Sequence, residues 1–334
     1  MHDYLVPPGD ATKVPDKKYV EWKTEFDVLS GLDELQHAVH KLGVGRDLAV
    51  VREAIDGFRP DIVFNLLESF YEIPSYDHYV PGYLELLRQP YTGCNPRGLM
   101  LARDKALSKK LLAYHRIPSP AFAVFGRGKP VRRPARLKFP LMVKSLTADG
   151  SIGLAQASIV QNDAKLEDRV RYIQTTFETD VIAEEYILGR EVYVPILGNR
   201  RLTTLPVMEL EFGRLAEGSQ PIATSKVKWD WKYQEARGIE LKFPTDLGDE
   251  LARRIVRTSK RVFRALGLSG YARIDLRVTE DGRVFVIEAN PNADLGYGEE
   301  LHESAEAAGF TYPRLLQRIL NLGLAYQAEW RQAI

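Results

Sequence analysis

Residues 271–292 run YARIDLRVTEDGRVFVIEANPN. Two stretches that alternate apolar and polar residues are joined at Asp281–Gly282, the pattern of a β-hairpin. Successive strand side chains point to opposite faces. Arg273 and Asp275 therefore share one face of the first stretch, and Ala272, Ile274 and Leu276 the other. On the second stretch, Glu288 and Asn290 are expected on one face and Phe285, Ile287 and Ala289 on the opposite one. The hairpin thus gathers an arginine, two carboxylates and an amide oxygen on a surface backed by an apolar one. Oxygen-only ligands suit a hard cation, and Mg²⁺ is held by one or two carboxylates together with phosphate oxygens. An arginine beside such a platform would stabilise developing negative charge. Taken alone, an exposed sheet face with solvated charges explains the hairpin equally well.

Working upstream, VKSLTADGSIG (143–153) places Lys144 at the end of a buried strand, followed by Gly150, Ser151 and Gly153. Glycines let backbone N–H groups turn onto phosphate oxygens, and a lysine adds a point charge. No GxxxxGK[ST] sequence occurs, and no GxGxxG follows a strand, so by itself the segment is an ordinary turn. Lys105 lies in an amphipathic stretch expected to be one helix over 98–114, where by itself it reads as a surface lysine, although it could reach the same phosphates. Glu184, Glu185, Tyr186 and Ile187 follow an apolar strand and lead through Gly189 to Glu191. Backbone groups in such a connection can meet an adenine edge and a carboxylate two steps on can meet ribose hydroxyls; a plain polar hairpin is the alternative.

Around these segments the composition is that of an ordinary globular chain. Of 334 residues, 45% are hydrophobic; 46 lysines and arginines against 45 acids give a formal charge of +1. Such balance supplies no electrostatic reason to expect a nucleic acid or an anionic membrane as partner. A single cysteine, Cys94, excludes an intrachain disulfide. No apolar run reaches the ~20 residues of a membrane helix and the start is no signal peptide, so a cytoplasmic protein is expected. Helices are expected over 33–43, 48–58, 249–267, 300–310 and 312–327. PDIVFNLLE (60–68) is expected as a buried strand, PYTG (90–93) as a short one, and 201–213 as another. The basic stretch 127–138 is expected as a solvated, Pro-broken connection, with a cationic rim that draws in an anionic ligand as the alternative.

In this order and spacing, PDIVFNLLE, PYTG, ARDKALSKKLL, IPSP, FPLMVKS, GSIG, EEYILGREVYV, YARIDL and VIEANPN resemble the ATP-grasp superfamily, and most closely its D-alanine–D-alanine ligase-like branch. The resemblance spans about Pro60 to Ile319. It implies an α/β (α+β) fold in three parts: an N-terminal parallel α/β domain (1–99), a small central domain with a glycine loop (100–188) and a C-terminal antiparallel-sheet domain with the metal site (189–334). It implies that Lys105 and Lys144 contact ATP phosphates and that Gly150, Ser151 and Gly153 form the mobile loop. Glu184, Tyr186 and Ile187 fall where the family holds adenine, and Glu191 where it holds the ribose. Lys228 matches a third phosphate lysine, with Lys226 a close competitor. Asp275, Glu288 and Asn290 match the ligands of two Mg²⁺ ions, for which Mn²⁺ can substitute. Arg273 matches the arginine that steadies an oxyanion, and Lys228 and Ser151 join it as catalytic groups. The implied reaction is amide or peptide bond formation between a carboxylate and an amine through an acyl phosphate, with ADP as product.

The recognition segments depart from that branch. Its glycine-rich opening motif containing serine and glutamate is missing, its loop serines are replaced by Gly150–Ser151, Trp229 stands in the place of a tyrosine, and PNADLGYGEE replaces a Pro-Gly-Met segment. The expectation is a ligase whose nucleotide handling is kept and whose two substrate pockets are rebuilt for other small carboxylates and amines, whether amino acids or a peptide. Glu299 or Glu300 would favour an amine-bearing or cationic acceptor, with Tyr297 shaping the pocket. Glu68, Asp77 and His78 face the substrate or form a plain polar loop. The alternatives are a D-alanine–D-alanine ligase proper and a non-catalytic ATP-binding regulatory protein. Relatives of the branch are often homodimers, an assembly equally open to this chain.

Overall fold

A computed structural model describes residues 1–9, 20–148, 153–215 and 218–332. Gly150 and Ser151 lie outside the described residues. The N-terminal part carries helices α1 (Lys23–Glu34), α2 (Ala49–Phe58), α3 (Tyr79–Leu86), α4 (Pro96–Arg103) and α5 (Lys105–Tyr114). The first helix ends where the sequence predicted one to begin. Gln36 takes a left-handed φ of 58°, and the N–H groups of Gln36 and His37 bond back to Asp33 and Leu32. That closes the turn and leaves His37 and His40 outside any helix. The register of α1 is set instead by Val28 and Leu32, which are buried in a cluster with Leu315, Leu316 and Ile319.

The expected strand 60–68 contracts to one parallel bridge, Val63 to Tyr91, and a second parallel bridge joins His2 to Val44. The parallel orientation expected of this part is thus present as isolated bridges rather than a ladder. The single helix expected over 98–114 is broken at Asp104, whose carboxylate accepts from the N–H groups of Ala106 and Leu107 at 2.9 Å. A short acid that satisfies two orphan donors starts a new helix rather than continuing the old one.

The central part is a four-stranded antiparallel sheet in the order β1 (Phe122–Phe125), β4 (Val181–Glu185), β2 (Leu141–Ser145), β3 (Ile159–Val160), covered by α6 (Asp163–Thr176). Leu141, Val143, Val170 and Ile173 fill the space between them. The C-terminal part is a larger antiparallel sheet built on β5 (Arg190–Gly198), which takes a short neighbour, β6 (Leu202–Thr204), and β7 (Met208–Glu211). Residues 201–213 therefore supply two strands where one was expected. Helices α7 (Ser225–Trp229) and α8 (Trp231–Arg237) precede β8 (Glu240–Lys242), which pairs with β7. Glu184 and Glu191 are not two arms of one hairpin, because β4 and β5 belong to different sheets. Gly189, at φ +156°, makes the crossing, and a Cβ there would lie 2.1 Å from the Val278 carbonyl oxygen.

Helix α9 (Asp249–Ala265) lies against the large sheet. Ile255, Val262 and Phe263 are buried, each worth roughly 1.5–3 kcal/mol of transfer free energy, and Gly267 sits just beyond its end at φ +63°. The arginines on its other faces stay near solvent. The expected hairpin is β9 (Tyr271–Val278) and β10 (Val284–Pro291), the edge of the same sheet. After it come α10 (Glu300–Ala307), α11 (Tyr312–Ala325) and α12 (Glu329–Gln332). Leu315, Leu316, Ile319 and Leu320 are core residues. Among the described residues no helix is long and apolar enough to cross a membrane.

Candidate active site

A cavity of about 1060 Å³ opens between the two sheets and the N-terminal part. On its floor is the hairpin face, with Glu288 paired across from Asp275 and Asn290 from Arg273. The grouping follows from a β-bulge, not from strict alternation. The register slips between Val286 and Glu288, so Val284 and Val286 point into the core before the slip and Ala289 after it. Phe285 and Ile287 are only partly buried, contrary to the shared apolar face expected for them. One extra residue re-aims a strand in this way, and here it turns Glu288 to the side of Asp275.

From the opposite wall, the cap at Asp104 sets Lys105 at the first position of α5, where its backbone N–H meets the Leu146 carbonyl at 3.3 Å. The Lys105 ammonium lies 3.0 Å from Glu288 and donates to the Ala148 carbonyl at 2.8 Å. Lys144, on β2, lies 3.2 Å from Glu184 on the adjacent β4. Lys228 on α7 lines the cavity, whereas Lys226 is exposed and does not. Burial would raise the Glu288 carboxyl, but Lys105, Lys144 and Lys228 outweigh it and hold it down at about 2. Glu184 likewise stays below the ordinary carboxylate range: burial opposes ionisation, and Lys109 and Lys144 override it.

Arg273 is bidentate to Asp275 at 2.8 and 3.0 Å and donates to Glu300 at 2.8 Å. Three of its five N–H donors are used in this way. Tyr186 and Ile187 line the cavity, and the Tyr186 hydroxyl donates to the Pro221 carbonyl at 3.1 Å. Met142, Leu210, Ile222 and Leu241 line the same cavity, supplying apolar surface of the kind a flat ring needs. Glu191 accepts from the Tyr193 hydroxyl at 2.8 Å and from Arg277 at 2.5 Å. Gly153, at φ +71°, faces the Phe177 ring so closely that a Cβ would lie 2.5 Å from it.

Several further carboxylates line the cavity: Glu68, Asp77, Asp294, Glu299, Glu300 and Glu303, with Tyr297 among them. Asp77 is bound by Arg103 and Glu300 by Arg273. Asp294 accepts from the Thr24 hydroxyl at 2.7 Å, and Lys23 is held by Asp27 and the Tyr297 carbonyl. Burial and the neighbouring Asp294 and Glu300 carboxylates push Glu299 up to about 7. His78 does not line the cavity.

Sequence reasoning missed Lys109, Arg277 and Asp294. Lys109 is one helical turn beyond Lys105, and Arg277 shares the alternation of Arg273 and Asp275, so both carried a periodic signal. Asp294 sits in a loop and carried none.

Residues 111–321 match the family model described as the D-ala D-ala ligase C-terminus. The chain is 35% identical to the uncharacterized protein y4sG of Sinorhizobium fredii, over 78% of this chain and 74% of that one. It is 28% identical to the D-alanine–D-alanine ligase of Moorella thermoacetica, over 92% of this chain and 96% of the relative. The crystal structure of the D-alanine–D-alanine ligase from Bacillus anthracis complexed with ATP superposes with a TM-score of 0.73 at 26% identity, covering 93% of this chain and 92% of the other.

Proposed function

This chain belongs to the D-alanine–D-alanine ligase family of ATP-grasp proteins, and on that premise we propose how its own residues divide the work. It is an ATP-dependent, ADP-forming carboxylate–amine ligase. Lys105, Lys144 and Lys228 take the phosphates. The connection from Glu184 to Ile187 takes the adenine, above the apolar surface of Met142, Leu210 and Ile222. Glu191 takes the ribose, since a carboxylate offers about four lone-pair sites and two are used. The three-part division at 99/100 and 188/189 belongs to the same reading, supported by the change of sheet at Gly189.

Asp275, Glu288 and Asn290 fit a hard divalent cation. All three offer oxygen, they line one cavity, and Glu288 is kept ionised. The buried Asn290 amide nitrogen has no hydrogen-bond partner, so no competing contact holds that side chain elsewhere. When bound, two Mg²⁺ ions (or Mn²⁺) would neutralise phosphate charge. In the first step a substrate carboxylate oxygen attacks the γ-phosphorus and ADP leaves. In the second an amine attacks the acyl phosphate carbon, the C–O bond to phosphate breaks, and the amine loses its proton. Positioning and charge neutralisation dominate such transfers. Arg273 has donors left to meet the oxyanion of the second step.

The acceptor is an amine with cationic character. What carries this is the group of carboxylates lining the cavity, where, among the described residues, Asp294 and Glu299 stand near a single lysine, Lys23. Screening amino acids, amines and small carboxylates for Mg²⁺-dependent ADP release, with mass detection of products, tests both statements. The expected hits are pairs whose amine bears no carboxylate or bears a second positive charge. D-alanine sufficing alone would assign D-alanine–D-alanine ligation instead, and nucleotide binding with no ADP release from any pair would assign a regulatory role.

A further inference from the structure

Lys109 lies on α5 one turn after Lys105, and it is 1% exposed. Lysines are almost never buried to that degree without a partner. Its ammonium lies 3.2 Å from Glu184 and donates to the Ile287 carbonyl at 2.9 Å. Ile287 is the bulged residue of β10, skipped by the ladder, which leaves its carbonyl available to a side chain. Lys105, Lys144 and Glu184 line the cavity; Lys109 does not. Two lysines therefore clamp one buried carboxylate, Lys144 from the cavity side and Lys109 from behind.

We propose that Lys109 is a positioning residue for nucleotide binding: it neutralises Glu184 from the protein interior, so that Lys144 is released to the phosphates. The inference rests on the assignment of Lys144 to the nucleotide. Glu184 is 2% exposed, and a buried carboxylate stripped of its partner carries a heavy desolvation penalty. With Lys144 as its sole counter-ion, Glu184 would hold that lysine back and phosphate would have to compete for it. With Lys109 anchored on the Ile287 carbonyl, one cation stays behind when the other leaves. Lys109 touches no ligand; its effect runs through the charge of Glu184.

Calorimetric titration of the full chain with a non-hydrolysable ATP analogue and with adenosine tests this. The proteins compared are the wild type, Lys109→Met, Glu184→Gln and the double variant. Lys109→Met should bind the triphosphate at least about tenfold more weakly, a loss of one ion-pair contact, while adenosine affinity changes little. Once Glu184 is neutral Lys109 should cease to matter, so the double variant should match Glu184→Gln for the triphosphate. Equal losses for both ligands in Lys109→Met would mark a packing defect and overturn the proposal. So would a double variant well below Glu184→Gln, a comparison that stands even where Lys109→Met alone does not fold. A wild-type chain that binds neither ligand refutes the nucleotide assignment and this inference with it. Wild-type binding with either contrary pattern refutes the inference alone.

Discussion

At one end of the cavity Lys105 and Lys144, with Lys109 behind them in the interior, meet Glu184 and Glu288 at 3.0 to 3.2 Å. At the other, Asp294 and Glu299 stand near Lys23, which is already held by Asp27 and a carbonyl, while Glu303 lies 3.2 Å from His302. The first end has its charges cross-paired with lysines in excess, Lys228 among them, a state that tolerates burial and still attracts an anion. The second has, among the described residues, more carboxylates than cations, and burial together with the neighbouring Asp294 and Glu300 carboxylates raises Glu299 to about 7. The two arrangements serve different ligands. A polyanion is best met by cations already desolvated and held in place; a cationic amine is best met by acids whose repulsion it relieves.

The largest effect expected is at the paired end. Glu288→Gln removes the carboxylate that faces Lys105 and stands opposite Asp275, while leaving shape and hydrogen bonding nearly unchanged. ADP release should fall on the order of 10³-fold, the scale on which transition-state charge stabilisation is lost. The thermal melt should show that the chain still folds. Turnover within about tenfold of wild type would break the comparison, because the cross-paired charges would then be a folding device only.

At the acidic end the expectation is a stability effect with a definite sign. Glu299 has a folded-state pKa raised from 4.5 to about 7, so folding favours its protonated form. The stability this group contributes is full below its unfolded pKa and is lost as the pH rises through about 7. Glu299→Gln should therefore melt higher than wild type at alkaline pH, by at most on the order of 3 kcal/mol. The gap should close toward pH 4.5. A gap that is constant with pH would show that the acidic end is already compensated, and the contrast between the two ends would dissolve.

The two ends also differ in how far the sequence exposes them. Asp275, Glu288 and Asn290 lie on strands, where a period of two fixes the facing side, and YARIDL and VIEANPN sit on either side of a recognisable turn. What alternation could not supply was the slip at Ile287, because a bulge leaves no mark in a hydrophobic pattern. Lys109 was hidden for a related reason: on a helix rich in lysine, nothing local separates the buried one from the exposed. Asp294 and Glu299 lie in a loop whose course depends on Thr24 and Lys23, 270 residues or more away in the chain. The early region misled for want of strong periodicity, so that helix 33–43 was expected one helix length too late, and strand 60–68 was expected where one bridge forms.

The smallest effect concerns how the paired end is aimed. The stretch 98–114 has the pattern of one continuous helix, and Asp104 alone interrupts it by accepting two N–H groups at 2.9 Å. That break sets Lys105 at the start of α5, with its N–H on Leu146 and its ammonium on Ala148 and Glu288. Asp104→Ala removes the cap and should cost about 1 kcal/mol, a shift in melting temperature of roughly 2 °C for a chain of this size. Asp104→Ser keeps a capping oxygen and should recover most of the loss. Of the two, only Asp104→Ala should weaken binding of the ATP analogue, since without the cap α4 is free to run on and rotate Lys105 away from Glu288. If alanine and serine behave alike in both the melt and the titration, the position of Lys105 is set by its ion pair with Glu288, and the nucleotide end owes its geometry to charge pairing across the cavity rather than to the helix start.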